Sequence, residues 1–366
     1  MLARLSRIHS TLHSHDFLLM EQYVLSNLGC TPAASLAASS APQWLSCTHS
    51  EAQDLDVFAK QVQALTGVAL QALHVQDAAN ALHPSHYDGV PTYDQVVFRG
   101  LTAHPPKPAP LHCAAKPAAK PSHKYRLQPI ATQPITFFIS DHALITVNHG
   151  SAALLSECAQ RITGLLSPHQ LMLRFLNAQV DAYLALRQPL TDQLDRWQRE
   201  LLDPRRAFND WTALLDARLE LRKLEALSEE QLDALTELRE AWLEPLALPY
   251  DASEIGNLRV RLTDICEHIE RVLNHAKRLE SSVESAIQLH FAAVAHQTNH
   301  TVRNLTLLTA VFAPLTLLTG FYGMNVPLPW QASAHTYQWI VLGMALLAGV
   351  VLGGVLTTRF AKRRPS

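Results

Sequence analysis

The architecture of this chain is decided by residues 257–313, NLRVRLTDICEHIERVLNHAKRLESSVESAIQLHFAAVAHQTNHTVRNLTLLTAVFA. These 57 residues contain no glycine and no proline, the two residues that most often interrupt helices. At 1.5 Å per residue, the run predicts one helix of roughly 85 Å. No single globular core needs a helix of that length.

Apolar residues repeat along the first half of this run at alternating steps of four and three. They are Leu258, Leu262, Ile265, Ile269, Val272, Ala276, Leu279, Val283 and Ala286. A seven-residue repeat predicts a seam that packs against other helices. Either the chain's own domain or neighbouring subunits could pack against the seam in this half of the helix. For the second half we expect neighbouring subunits, because it runs into an uncharged region.

The charges of the chain are unevenly distributed. Lys and Arg number 30 and Asp and Glu 32, which is 17% of the 366 residues, whereas a soluble domain carries about 25%. Residues 304–358, 55 in a row, carry no charge at all. The near balance of charge argues against a nucleic-acid partner, which would be bound through excess positive charge.

Two apolar stretches within the uncharged block, residues 305–322 and 337–357, are each long enough to cross a bilayer. Arg303 precedes the first stretch, and the basic residues Arg359, Lys362, Arg363 and Arg364 follow the second. Because positive residues stay on the cytoplasmic side, both termini are predicted there and the short loop outside.

One face of the first stretch carries small or hydroxyl-bearing side chains at steps of four and three. Its members are Gly320, Thr316, Ala313, Thr309, Thr306, Val302 and Asn299. In a membrane, such a stripe either lets helices approach closely or lines a wet pore. The pattern by itself favours neither.

The first 150 residues are typical of a mixed α/β domain. Strand-length apolar runs lie at Phe17–Leu25, Trp44–Cys47, Gln95–Leu101 and Ile135–Val147. Asp141-His142 predicts a hairpin within the last of them. A helix is predicted after a Ser50 cap, with the apolar positions Leu55, Phe58, Val62 and Leu65.

Helices are predicted for the following hundred residues. Ser167 and Pro168 supply a cap and a first-turn proline for a helix running toward Leu202. A further helical region covers Phe208–Leu243.

Other features offer weaker functional hypotheses. Residues 104–121 hold six prolines and predict an extended loop, with a proline-rich docking ligand as the alternative. The acid-free N-terminus leaves an organellar transit peptide open. Five scattered cysteines give no disulfide or zinc pattern and indicate a reducing compartment. Among 19 histidines, the pairs His9/His13 and His296/His300 have the four-residue spacing that two metal ligands on one helix face need.

Two motifs close the first apolar stretch, Pro314-Leu315-Thr316 and Gly320-Phe321-Tyr322-Gly323-Met324-Asn325. With these motifs the chain resembles the CorA magnesium transporter family, whose hallmark is the tripeptide G-M-N at this place. The position of the tripeptide, after a long helix and before a second span, makes the resemblance specific.

The resemblance implies an α/β cytoplasmic domain, a long helical stalk and two C-terminal transmembrane helices, assembled as a pentameric funnel. It implies that Gly323, Met324 and Asn325 form the outer selectivity entrance, where a ring of Asn carbonyls receives a hydrated cation. Pore-lining positions carried over from the family are Thr316, Ala313, Leu305, Val302 and Asn299. They agree with the stripe except at Leu305, where the stripe has Thr306.

Two departures from the family pattern leave the ion open. Magnesium-selective members have an acidic residue in the outer loop, whereas residues 326–336 have none and look more like the zinc-transporting ZntB branch. The His296/His300 pair favours zinc as well, with a polar interfacial pair as the alternative. The family's regulatory metal site carries over to Asp264, but a second position that is commonly acidic falls on Gln288.

The sequence thus predicts a homopentameric integral membrane transporter for Mg²⁺, Zn²⁺, Co²⁺ or Ni²⁺ in a bacterial inner membrane, with no covalent cofactor and no enzymatic activity. The predicted partners are the lipid bilayer and divalent cations. Alternatives are a proton-coupled zinc transporter and a membrane-anchored sensor or scaffold. The predicted divisions are an α/β domain (1–150), a helical region (151–250), a stalk (251–303), span 1 (304–325), an outer loop (326–336), span 2 (337–358) and a basic tail (359–366).

Overall fold

The computed structural model describes residues 19–26, 29–33, 35–38, 41–49, 54–102, 129–149, 153–164, 166–201, 211–243 and 249–323, and then 339, 341–343, 345, 346, 349, 353 and 354. The chain divides into two compact units, Met1–Glu284 and Ser285–Ser366. The predicted proline-rich loop, outer loop and basic tail lie outside the described residues.

Seven strands form one mixed sheet in the first unit. They are β1 Leu19–Ser26, β2 Gly29–Pro32, β3 Gln43–Thr48, β4 His86–Val90, β5 Tyr93–Leu101, β6 Thr132–Ile139 and β7 Ala143–Asn148. Their order across the sheet is β2-β1-β3-β7-β6-β5-β4. The pair β3 and β7 is parallel, with Leu45 opposite Ile145, and each other neighbouring pair is antiparallel.

Seven helices accompany the described strands. They are α1 Leu55–Thr66, α2 Ala72–Ala79, α3 Ala153–Gln160, α4 Pro168–Ala185, α5 Arg187–Leu201, α6 Trp211–Leu243 and α7 Ala252–Tyr322. The boundary between the two compact units lies inside α7.

Both faces of the central strands of the sheet are buried. On one face, Leu45 and Ile145 belong to a core cluster with Phe58 and Val62 of α1. On the other, the Trp44 ring packs against Phe175 of α4 with centroids 4.9 Å apart. A sheet covered on both sides needs apolar side chains at consecutive positions, which explains why β7 is buried along its whole length.

Most predicted strands are confirmed, and so is the hairpin. Strands β6 and β7 pair around the Asp141-His142 turn, with Ile139 opposite Leu144. The structure adds β2, β4, α2 and α3, which are short and lack a clear apolar period. Ser50, the predicted cap, lies outside the described residues. Helix α1 begins at Leu55 and is capped by Asp54, whose carboxylate accepts from the Asp56 and Val57 amides.

The helix predicted from Ser167 toward Leu202 is two helices. Its start is confirmed, since the Ser167 hydroxyl accepts from the Gln170 amide at 3.3 Å and Pro168 occupies the first turn. It breaks after Ala185, because Pro189 has no amide to donate to that carbonyl and its ring crowds it. The proline that sets this break was visible in the sequence.

A single carbonyl on β5 joins two helices to the sheet. The Tyr183 hydroxyl of α4 and the Gln231 side-chain amide of α6 both donate to the Arg99 carbonyl, at 2.7 and 2.8 Å. Tyr183 and Gln231 are buried. Because an unmade hydrogen bond costs most where water is excluded, this junction fixes α4 and α6 against the same strand.

The seam predicted along the first half of α7 is buried in the chain itself. All nine residues from Leu258 to Ala286 are at most 8% exposed. Within the first unit α7 lies against α6, where Glu280 accepts from Arg218 and Arg222 at 3.1 and 3.3 Å, and against α5, where Gln198 hydrogen-bonds Ser282. The seam in this half of α7 is therefore buried within the chain itself and needs no neighbouring subunit to cover it.

Gly29 and Gly164 offer a matched test of packing. Both have positive φ, +98° and +93°, but a Cβ at Gly29 would overlap the Ile162 carbonyl oxygen, while nothing in the described structure lies within 4 Å of one at Gly164. Backbone strain is then common to both alanine variants, at about 1 kcal/mol. We expect Gly29→Ala to lower the melting temperature of the full chain clearly more than Gly164→Ala. Equal losses would mean that the close approach does not matter.

His169 predicts an acid-sensitive core. Its ring lies 2.8 Å from the Tyr250 hydroxyl and packs edge-on to Trp242, and burial lowers the pKa of His169 to about 3. Between its ordinary value near 6.5 and about 3, the unfolded chain takes up a proton that the folded chain refuses, so stability falls as the pH falls.

The measurement is the melting temperature from pH 7.5 to 4.5 for the wild type and for His169→Gln. We expect the wild type to lose more stability over this range than the variant does. Parallel curves would contradict the assignment, because carboxylates elsewhere act equally on both proteins.

Candidate functional site

The stripe predicted to line a pore lies along α7 in the second unit. Each of its members is exposed in the chain, from Asn299 near one end to Gly320 near the other. The exposed set is Asn299, Val302, Leu305, Thr306, Thr309, Ala313, Thr316 and Gly320. Both Leu305 and Thr306 are exposed, so exposure does not distinguish between them.

The threonine hydroxyls of the stripe donate hydrogen bonds to carbonyls of their own helix. The Oγ1 atoms of Thr306, Thr309 and Thr316 donate to the carbonyls of Val302, Leu305 and Phe312, four residues earlier, at 2.9, 2.9 and 2.8 Å. A hydroxyl that donates along its own helix keeps lone pairs that accept from outside. The stripe therefore presents oxygen acceptors.

A groove of ≈780 Å³ runs along this face of α7. Its walls combine the small and hydroxyl members of the stripe with three larger apolar side chains. The lining residues are Leu308, Thr309, Phe312, Ala313, Thr316, Leu317 and Gly320. It is a surface of oxygen atoms and apolar groups without a charged side chain.

Two glycines contact the C-terminal part of α7 or its last turn. The Gly323 amide donates to the Thr319 carbonyl at 2.9 Å, so the first residue of the G-M-N motif closes the last turn of α7. Met324 and Asn325 lie outside the described residues. Gly353, from the predicted second span, is buried, and a Cβ there would lie 3.1 Å from the Val311 side chain.

In the part of the chain that the structure describes, no helix is at once long enough and apolar enough to span a bilayer.

Asp264, the residue predicted to regulate through a metal, lines a cavity of ≈510 Å³ among α3, α4 and α7. Its carboxylate is exposed and lies 3.6 Å from the His268 imidazole one turn away. The cavity also holds Glu157 and Asp181, together with Arg161. Sequence reasoning missed these neighbours, because no spacing along the chain connects residues from three helices.

Cys158 lies in the same cavity. Burial raises the pKa of its thiol, and the guanidinium groups of Arg174 and Arg161 lower it in part. A thiol held mainly in its protonated form is a poor nucleophile and a poor metal ligand. The cavity therefore offers carboxylate oxygens and guanidinium groups as its reactive chemistry.

His296 and His300 lie on α7 in the second unit, with ring centroids 6.4 Å apart and both side chains exposed. Gln288, at the second regulatory position of the family, is exposed on the same helix. Among the described residues, no group of three or more His, Cys, Asp or Glu side chains is arranged to hold a metal ion. The histidine pair thus stands by itself in this stretch.

Comparison with known sequences gives a family. The family described as "CorA-like Mg2+ transporter protein" matches residues 39–356. The chain is similar to the cobalt/magnesium transport protein CorA of Thermotoga maritima, with 26% identity over 157 residues, or 42% of each protein. The match thus spans less than half the length of that relative.

Comparison with solved structures gives the same fold. The complete structure of the CorA magnesium transporter from Methanocaldococcus jannaschii matches with a TM-score of 0.68 and 15% identity, over 96% of this chain and 99% of that one. The soluble domain of the same protein matches with a TM-score of 0.53 and 13% identity, over 76% and 99%. The likeness reaches from the α/β sheet to the long helix.

Asp264 and Glu280 allow a test that separates folding from function. Asp264 is exposed and meets one imidazole, whereas Glu280 is 21% exposed and accepts from two guanidinium groups. We expect Asp264→Asn to leave the melting temperature of the full chain nearly unchanged, because exposed pairs contribute about 0–1 kcal/mol. Glu280→Gln should lower it by several degrees. A large loss for Asp264→Asn would instead mark that residue as structural.

Proposed function

The chain belongs to the CorA-like Mg²⁺ transporter family, and on that premise we propose that it carries divalent cations across a membrane. The observation that supports this most directly is the exposed stripe of α7, whose oxygen acceptors lie on one helix face without a charged residue. The transported ion is Mg²⁺ in this proposal, with Zn²⁺, Co²⁺ and Ni²⁺ as further substrates.

The proposed membrane segments are residues 304–325 and 337–358. Their support is the block of 55 uncharged residues, flanked by Arg303 on one side and by basic residues from Arg359 on the other. By the positive-inside rule, both termini lie in the cytoplasm. The proposed location is an inner, or plasma, membrane, as the resemblance to the family implies.

We further propose a homopentamer in which five copies of α7 surround one axis. A single chain leaves the stripe from Asn299 to Gly320 exposed, and small or hydroxyl side chains suit either close helix packing or a wet lining. A closed ring of subunits satisfies both uses, since each helix touches its neighbours and turns its oxygen atoms inward.

The chemistry of this lining suits a hydrated ion. Mg²⁺ gives up its water reluctantly and prefers oxygen ligands. Acceptors such as the Thr306, Thr309 and Thr316 hydroxyls bind the protons of that water without trapping the ion as a carboxylate would. At the outer end, a ring of Asn325 carbonyls with Gly323 and Met324 is the proposed selectivity entrance.

Transport of this kind needs no nucleotide. The membrane potential supplies about 2.3 kcal/mol per charge per 100 mV, and roughly twice that for a divalent ion. A gated pore is then sufficient for uptake. We propose Asp264 for its regulation, since its exposed carboxylate lines a cavity of ≈510 Å³ and is paired with a single imidazole, that of His268, which an intracellular cation could displace.

A second candidate is proton-coupled zinc transport, favoured by the absence of any carboxylate in residues 326–336. An acidic ring would concentrate cations electrostatically at the outer mouth. Without one, the loop is more similar to that of the zinc-transporting ZntB branch than to that of magnesium-selective members.

The first experiment is ion flux into liposomes that contain the purified full-length protein. We expect Mg²⁺ or Zn²⁺ uptake driven by an inside-negative potential, and about a tenfold or larger change in rate for Asn325→Ala, which removes the carbonyl ring. A wild type inert toward Mg²⁺, Zn²⁺, Co²⁺ and Ni²⁺ would leave the sensor or scaffold reading in its place.

The same liposomes with and without an inward proton gradient separate the two candidates. Zinc flux stimulated by protons would favour symport, and indifference to protons a channel. The mass of the detergent complex should be that of five subunits, and a monomer would contradict the shared pore.

Thr316 and Thr319 form a matched pair for the lining itself. Both hydroxyls donate to helix carbonyls, but Thr316 lies on the stripe and Thr319 does not. We expect Thr316→Val to slow Mg²⁺ flux severalfold by removing an acceptor from the pore wall, while Thr319→Val stays close to the wild-type rate. Equal effects of the two variants would contradict this assignment of the pore face.

A further inference from the structure

The histidine pair of α7 is unused by the pore described above. His296 and His300 are four residues apart, so both side chains leave the same face of the helix. Their ring centroids lie 6.4 Å apart with the ring planes inclined by 44°. Every residue from Phe291 to His300 is exposed in the single chain, so packing within the chain fixes neither ring.

Other histidines of the chain have defined partners. His169 meets the Tyr250 hydroxyl at 2.8 Å, and His275 meets the Thr191 hydroxyl and the Arg187 carbonyl at 3.1 and 3.2 Å. In the part of the chain that the structure describes, the ring contact of His296 and His300 is with each other. Their nitrogens are therefore not committed to a structural role there.

We propose that His296 and His300 form a binding site for borderline transition-metal ions, Zn²⁺, Co²⁺ or Ni²⁺, with one imidazole nitrogen from each ring. Metal–nitrogen distances of about 2.0–2.1 Å require the two nitrogens to come within roughly 3 Å of each other. From a centroid separation of 6.4 Å, rotation of two exposed side chains is sufficient. Water completes the coordination, so the site is weak and exchangeable.

The ligand type gives this site a different selectivity from the rest of α7. Imidazole suits Zn²⁺, Co²⁺ and Ni²⁺, whereas Mg²⁺ prefers oxygen. The neighbouring stripe begins with the Asn299 amide and continues with threonine hydroxyls, all of them oxygen donors to a cation. The histidine pair therefore prefers transition ions over Mg²⁺. The oxygen-bearing stripe beside it does not make this distinction.

The metal site itself depends on the histidine pair alone, and its consequence rests on the proposed function. If α7 surrounds a pore, ions bound at His296 and His300 lie one residue from Asn299, at the beginning of the stripe. Bound transition ions would then be concentrated at that end of the pore or would obstruct it.

The test is calorimetric titration of Ni²⁺, and then Zn²⁺, into the full-length protein in detergent. The variants are His296→Gln with His300→Gln, each single substitution, and His290→Gln as the matched control. His290 is on the same helix, but Ala286 and Val294 occupy the positions four residues away. His9 and His13 have the same spacing as the pair, so each variant is compared with the wild type rather than with zero binding.

We expect the double variant, which lacks both ligands, to lose a class of sites or to bind Ni²⁺ at least about tenfold more weakly, because losing even a group that only orients a ligand costs about 10- to 100-fold in metal affinity. The His290→Gln control should bind as the wild type does, and millimolar Mg²⁺ should not compete. An isotherm unchanged in the double variant would overturn the proposal, and so would competition by Mg²⁺ at equal strength.

Two further measurements keep the outcome interpretable. If the double variant loses its helical circular dichroism, the electron paramagnetic resonance spectrum of bound Cu²⁺ identifies the ligands instead. The wild type and the two single variants are compared by the nitrogen hyperfine structure in that spectrum. Hyperfine structure that neither substitution changes would refute the site. Flux separates this inference from the proposed function: bound Ni²⁺ without transport of any ion contradicts the pore, whereas Mg²⁺ transport with unchanged Ni²⁺ binding in the double variant contradicts the site.

Discussion

Continuous backbone hydrogen bonding along α7 is the constraint on which the rest of the structure depends. From residue 257 to residue 313 every residue has an amide to donate and a side chain that tolerates helix, and the helix continues from Ala252 to Tyr322. It passes through Pro314, which removes one intrahelical bond without ending the helix. Because side chains on a helix recur with a fixed period, this continuity also fixes which residues share a face.

The composition of the α7 faces then decides what each part of the helix does. In the first unit the seam from Leu258 to Val283 consists of Leu, Ile, Val and Ala, and its burial removes apolar surface from water. In the second unit the stripe consists of Thr, Ala, Gly and Asn side chains with one Val, and the chain leaves it exposed. The apolar seam is therefore buried within the chain, whereas the stripe and the apolar side chains beside it, such as Leu308, Phe312 and Leu317, remain exposed in the single chain.

The α/β domain depends on a pairing between distant segments. Strand β3 lies parallel to β7, about a hundred residues later, and the Trp44 indole donates to the Thr146 hydroxyl across that pair at 3.1 Å. This pairing joins the β1–β3 part of the sheet to the β4–β7 part. Helices α4 and α6 are fixed to the far side of it through the Arg99 carbonyl.

Local chemistry in the sequence determined the long helix, its apolar seam, the stripe, the Ser167 cap and the β6–β7 hairpin, because each follows from residues within a few turns or a few positions of one another. Only the tertiary structure decided that the seam is covered by the chain's own helices, that β3 pairs with β7, and that Asp264 shares a cavity with Arg161 and Glu157. Those outcomes bring together residues far apart in the chain, and their free energy comes from burial and long-range pairing, for which no local spacing is a signal.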